Sequence, residues 1–291
     1  MNQKYKGILC ILGAAFCFAL MNAFVRLSGD LPSIQKSFFR NVVAMIFAYI
    51  ILRKNHQGFR PTKGNLGLLI LRSTCGTIGI LCNFYAVDHL VLSDASMLNK
   101  MSPFFAIIFS YLFLKEKINL VQGLGVIVAF VGSLFIIKPS FSNMALVPSI
   151  IGLIGGIGAG AAYTAVRRLG QKGEKGPFIV FFFSAFSCLV TLPYLIFNFH
   201  PMTMLQFGFL MLAGLSAAGG QFAITAAYCY APAKEISVYD YSQVVFSAVL
   251  GFFLFAQIPD GFSILGYILI CGMAVLMFLY NTGKLKTRKH T

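Results

Sequence analysis

Charge is scarce in this chain and acid is scarcest. Only 11% of the 291 residues are charged, with eight Asp and Glu against 23 Lys and Arg, where a soluble domain carries about 25%. With 58% hydrophobic residues and a mean hydropathy of +0.82, a soluble fold is excluded and lipid is the expected solvent. The formal charge of +15 would suggest nucleic acid in a soluble protein, but the basic residues are dispersed among apolar runs and form no phosphate-tracking face. Paired cysteines are also missing. The seven present (Cys10, Cys17, Cys75, Cys82, Cys188, Cys229 and Cys271) all lie inside apolar runs, without metal-site spacing, and read as packing. His56, His89, His200 and His290 fall in links or the tail. No nucleophile elbow, phosphate loop or zinc signature occurs, so neither a cofactor nor a metal is expected. No ring of repeated charge or carbonyl-rich filter marks a channel.

What fills the chain is apolar runs of membrane-spanning length. A hydrocarbon core about 30 Å thick needs roughly 20 residues of helix, because backbone polar groups find no partner in lipid. Ten stretches qualify, approximately 7–28, 32–53, 65–87, 93–115, 118–138, 148–169, 177–198, 204–228, 234–256 and 261–281, joined by short links rich in Pro and Gly. The run after Lys4 and Lys6 lacks a cleavage site followed by a polar mature segment, so it reads as the first span. Basic residues at span ends stay cytoplasmic. With the N-terminus inside, Lys and Arg crowd the inner links while the outer ends keep only Arg26, Lys36 and Lys138. Both termini are therefore expected in the cytoplasm, in the cell inner membrane.

The two halves resemble each other at an offset near 141. Gly67 to Leu71 lies over Gly208 to Leu212, Gly79 over Gly220, Ala86 over Ala227, Ser96 over Ser237, and Val25-Arg26 over Val166-Arg167. An odd number of spans per copy inserts the second copy upside down, an architecture common in secondary transporters with a substrate site between the repeats. The expected fold is all-α, ten helices in two inverted five-helix repeats, residues 1–140 and 141–291.

Ser37-Phe38-Phe39-Arg40, Leu71-Arg72-Ser73, and Ser102-Pro103-Phe104-Phe105 leading to Leu114-Lys115-Glu116-Lys117 are the local patterns that carry a family likeness. Over nearly its whole length the chain resembles the drug/metabolite transporter superfamily, EamA type. The resemblance implies two five-helix units and the movement of a small metabolite. Two departures stand in the second half: Ser242-Gln243 where the family often has an acid and a proline, and Ala256-Gln257 where it often has Gly-Glu.

Ionisable groups at membrane depth cost about 2.5–3.5 kcal/mol each and need a reason. Arg40, Arg72, Lys100 and Asp240 fall there, while Glu235 lies near an inner end. Arg72, Gly76, Gly79 and Asn83 share one helix face, as do Ala95, Asn99, Ser102, Ala106 and Ser110. The small residues read as packing; Asn83, Asn99 and Lys100 together read as a cavity wall. Pro103 should kink its helix and free the Asn99 carbonyl. Gly152, Gly156 and Gly160 let a neighbouring backbone approach closely. Gln221 lies beside thinned helix at Gly219 and Gly220, and Tyr163, Tyr239 and Tyr241 carry hydroxyls that need partners in lipid.

The expected substrate-binding set is Arg40, Arg72, Asn83, Asn99, Lys100, Tyr163, Gln221, Tyr239, Asp240 and Tyr241. Three cations against Asp240 favour a carboxylate or phosphate, or a zwitterion, and the aromatic wall suits a planar group. Lys100 and Asp240 should lie about 12 Å apart if both helices are straight, leaving Asp240 to pair with Arg72 or to bind the proton as coupling ion. The expected partners are a small-molecule substrate and membrane lipid, in a monomer or homodimer, with no nucleic acid. The alternatives to transport are a membrane-embedded transferase, which would want clustered acids or histidines at one membrane surface, and a ligand-binding membrane protein without flux.

Overall fold

The computed structural model describes residues 3–56, 58–114, 120–138, 145–230 and 237–281, and these are helical with no strand among them. Three helices lead: α1 (Gln3–Leu27), α2 (Ser33–Lys54) and α3 (Leu66–His89). Then α4 (Leu92–Asn99) breaks into α5 (Ser102–Leu114), followed by α6 (Leu120–Ile137), α7 (Leu146–Gln171), α8 (Gly176–Phe197) and α9 (Met204–Tyr230). A 3-10 helix (Ser237–Tyr241) runs into α10 (Ser242–Phe255), and α11 (Gly261–Asn281) ends the described chain. Seven of the helices are long and apolar enough to cross a membrane. Large side chains such as Phe113, Phe197, Met204 and Phe253 stand exposed on the outside, where a bilayer would cover them. The protein is an all-α membrane protein.

Glycine decides how closely these helices pack. On α7, a methyl group added to Gly156 would lie 2.6 Å from the Leu98 carbonyl oxygen, and one on Gly160 2.8 Å from that of Ser102. The bare backbone of α7 is thus the seat for the α4–α5 break, while Gly155 and Gly158 on its other side admit Cys75, Gly79 and Asn83 of α3. The packing expected of Gly152, Gly156 and Gly160 is what these contacts serve.

Two expectations about helix continuity are corrected. Pro103 does more than kink its helix. The α4 hydrogen bonds end with Lys100 N–H on Ser96 O, and the next helix restarts when Phe104 and Phe105 donate to Met101 O, because a proline ring removes a donor and crowds the carbonyl four residues back. The stretch 237–241 is 3-10 rather than α, and the expected start near 234, with Glu235, lies outside the described residues.

Past the end of α10, Ala256 takes a left-handed φ of 51°. This is a conformation that costs an alanine about 1–2 kcal/mol and glycine no steric penalty. The neighbouring Gln257 accepts the Leu92 N–H at 3.0 Å, satisfying an orphan donor at the start of α4.

Candidate functional site

The two interruptions meet. Lys100, in the gap between α4 and α5, reaches Asp240 in the 3-10 helix with Nζ to Oδ2 at 2.6 Å, and the two residues are 4% and 8% exposed. This overturns the separation of about 12 Å expected from straight helices. Neither partner sits in a continuous α-helix, so a uniform 1.5 Å rise does not apply. Nor does Asp240 pair with Arg72. From the ion pair a ladder runs along α4 and α10: Ser96 Oγ to Ser247 Oγ at 2.7 Å, then Leu92 N–H to Gln257. Asn22 of α1 donates to Ser96 at 3.5 Å and accepts from Asn83 Nδ2 at 3.1 Å, so α1, α3, α4 and α10 are tied through one buried polar chain.

The two arginines stand apart from this pairing. Arg40 of α2 is 2% exposed. Its Nη1 donates to Asn41 Oδ1 at 2.6 Å, and Asn41 is in turn fixed by donating to Ser37 O and to Ser187 Oγ of α8. Arg72 of α3 lies flat on Phe183 of α8, its guanidinium carbon 3.7 Å from the ring centroid, a cation–π contact made possible by the small Gly76 beside it. Arg40 Nε, Arg72 Nε and Arg72 Nη1 are buried without a hydrogen-bond partner, and among the described residues neither arginine has an acidic partner. Asp240 Oδ1 is likewise buried and unpaired.

Tyr163 of α7 joins the two groups. Its hydroxyl is within electrostatic reach of Asp240, Arg72 and Arg40, yet the residue is 41% exposed. Of the ten expected residues, Lys100 and Asp240 meet directly, Arg40 and Arg72 are buried on α2 and α3, and Asn83 lies on the polar chain that reaches Ser96. Tyr241 packs its ring 6.5 Å from that of Phe104, Tyr239 turns to Phe278 at 6.2 Å, and Asn99 and Gln221 are half-buried at the end of α4 and on α9.

Several working residues escaped the sequence reading. Asn22, Asn41, Ser96, Ser187 and Ser247 are all buried and bonded. The two asparagines carried a signal, since an amide in an apolar helix needs a partner; the serines are indistinguishable from packing residues. Lys36, expected at an outer end, is fully buried and paired with Asp88 at 2.6 Å. It belongs to a set of ties that closes one end of the bundle. Arg26 donates to Val87 O at 3.0 Å and to Leu90 O, Gln35 and His200 exchange two bonds, Gln206 donates to Ser28 O, and Lys138 pairs with Asp260.

An all-helical membrane protein with buried arginines that have no acidic partner among the described residues fits the small-molecule transporters better than the enzymes. The relatives agree, and the chain belongs to the EamA-like transporter family, whose sequence profile matches residues 5–138. It is 34% identical over 267 residues to the pseudopaline exporter CntI of Pseudomonas aeruginosa, covering 91% of this chain and 93% of that protein. An uncharacterized transporter of Helicobacter pylori is 28% identical over 96% of both chains, and a riboflavin transporter of Vibrio cholerae 25% identical over 99% of this chain and 98% of its own. A crystal structure of 14% identity superposes on 95% of this chain and 98% of its own with a TM-score of 0.70, a likeness of fold alone.

Proposed function

We propose that the protein is a secondary carrier that moves an anionic or zwitterionic small metabolite across the cell inner membrane by alternating access. In this reading the chain crosses the bilayer ten times, as inverted repeats of residues 1–140 and 141–291 with both termini cytoplasmic. Helix pairing supports the duplication. If α1 corresponds to α7, α2 to α8, α3 to α9 and α6 to α11, the α1–α9 contact is matched by α7–α3, and α2–α9 by α8–α3. The α1–α10 contact is matched by α7 with α4 and α5, while α2–α8, α4–α10 and α6–α11 map onto themselves. The family match ending at residue 138 fits the boundary. The tied end, holding Lys36–Asp88 and Lys138–Asp260, then faces outward.

The relatives' names include two unlike cargoes, pseudopaline and riboflavin, so the choice of cargo rests on this chain's own interior. The observation that carries it is the pair of buried guanidiniums, Arg40 and Arg72, with N–H groups that no acceptor among the described residues meets. The neighbouring aromatic rings suit a planar group. Protons are the proposed coupling ion at Asp240, the acid of the buried ion pair with Lys100.

A thermal-shift screen of the purified protein against a metabolite library, followed by flux in proteoliposomes, tests the reading. Stabilising compounds should be anionic or zwitterionic and should be transported, and Arg72→Gln should weaken them by about 1.4 kcal/mol or more, a tenfold loss. Hits confined to cations, or binding without flux, would overturn it.

A further inference from the structure

We propose that the interior site takes a metabolite bearing two separated carboxylates and an N–H or O–H donor, in the simplest case an amino-dicarboxylate. The inference rests on the carrier reading above and narrows its cargo. Lys100 and Asp240 neutralise each other at 2.6 Å. Arg40 and Arg72 are left as two positive charges, 2% and 6% exposed, without a counter-charge among the described residues. A buried charge is costly unless it is paired and hydrogen-bonded. One carboxylate on a ligand can meet only one of these guanidiniums, whereas two can meet both, and a donor on the same ligand can meet Asp240 Oδ1.

The arginines are held in place by different supports. Asn41, itself fixed by Ser37 and Ser187, holds Arg40, and the face of Phe183 holds Arg72. They come from different helices, α2 and α3, so each is a separate anchor. A stacked guanidinium keeps its edge N–H groups for an acceptor in its plane, and the fork geometry matches a carboxylate. This favours two carboxylates over one phosphate. The third orphan has the opposite sense: Asp240 Oδ1, buried and unpaired, needs a donor and repels a third anionic group.

The test is a titration of the purified full-length protein with L-glutamate, L-2-aminoadipate and iminodiacetate. Their one-carboxylate counterparts L-glutamine, 5-aminovalerate and N-methylglycine, together with glutarate and inorganic phosphate, complete the panel. On the unsubstituted protein the amino-dicarboxylates should bind about tenfold or more tightly than their counterparts. Arg40→Gln and Arg72→Gln should each erase most of that margin. Asp240→Asn should preserve the two-carboxylate preference but remove the advantage of L-glutamate over glutarate. Equal binding of one- and two-carboxylate probes, tighter binding of inorganic phosphate, or no binding by any amino-dicarboxylate would each refute the proposal. The first comparison needs no variant, so a substitution that fails to fold leaves it decisive. A library screen that still returns other transported anions would leave the carrier reading standing while this one falls.

Discussion

The two interrupted helices break at the same depth for different reasons. Between α4 and α5 the cause is local: Pro103 withholds a backbone donor, and the bare α7 backbone at Gly156 and Gly160 accepts the displaced carbonyls of Leu98 and Ser102. Before α10 no proline stands within the described residues of the break, and the 3-10 turns of Ser237–Tyr241 are anchored instead by Asp240 on Lys100 and by Tyr241 on Phe104. One break is written into the chain beside it. The other depends on its partner across the bundle, so the ion pair should matter more to the second break than to the first.

The largest expected effect follows from that asymmetry. Lys100→Met or Asp240→Leu alone leaves an unpaired charge in a buried site and should cost about 3–5 kcal/mol, whereas the double substitution should recover most of the loss. Thermal unfolding in detergent would measure all three proteins. The double variant should fold yet fail in proton-driven accumulation. If the single variants are as stable as the parent, the pair does not hold the second break.

Most of the helical layout was legible from hydrophobic runs alone. Spans read as 32–53, 204–228 and 261–281 became Ser33–Lys54, Met204–Tyr230 and Gly261–Asn281, because in lipid the length of an apolar run and the need to satisfy its backbone leave little else to decide. The site was legible in its charges but not in its pairing. Arg40, Arg72, Lys100 and Asp240 were conspicuous because ionisable groups in apolar runs are rare. Which cation meets Asp240 depended on two departures from α-geometry that a straight-helix estimate omits. The supports were least visible: Asn41 and Ser187 find each other across 146 positions of sequence, and Phe183 is one phenylalanine among 31 until Arg72 lies on it.

A middle-sized effect would sharpen the account of the first break. Gly156→Ala puts a methyl group 2.6 Å from the Leu98 carbonyl oxygen. The resulting overpacking should cost about 1–3 kcal/mol, set against the gain of up to about 1 kcal/mol that alanine brings to a helix interior. Gly170, on the same helix with nothing within 4 Å of the added methyl, is the control, and Gly170→Ala should hold or raise the unfolding temperature. Equal outcomes at the two sites would mean that α7 does not seat the break.

The smallest effect lies at the far end of the second interrupted helix. Ala256 holds φ at 51°, closing α10 with its own N–H on Phe252 O and that of Gln257 on Gly251 O. The left-handed conformation costs an alanine about 1–2 kcal/mol, while glycine would pay about 0.5–1 kcal/mol more in unfolded-chain entropy. Ala256→Gly should therefore stabilise by about 0–1.5 kcal/mol, the difference between these two costs. The turn also sets the position from which Gln257 receives the Leu92 N–H, so relieving its strain should leave that tie between α10 and α4 in place. Transport by the variant should accordingly match the parent while its unfolding temperature rises slightly. A fall in both would show that the strained turn is needed to hold Gln257 against α4.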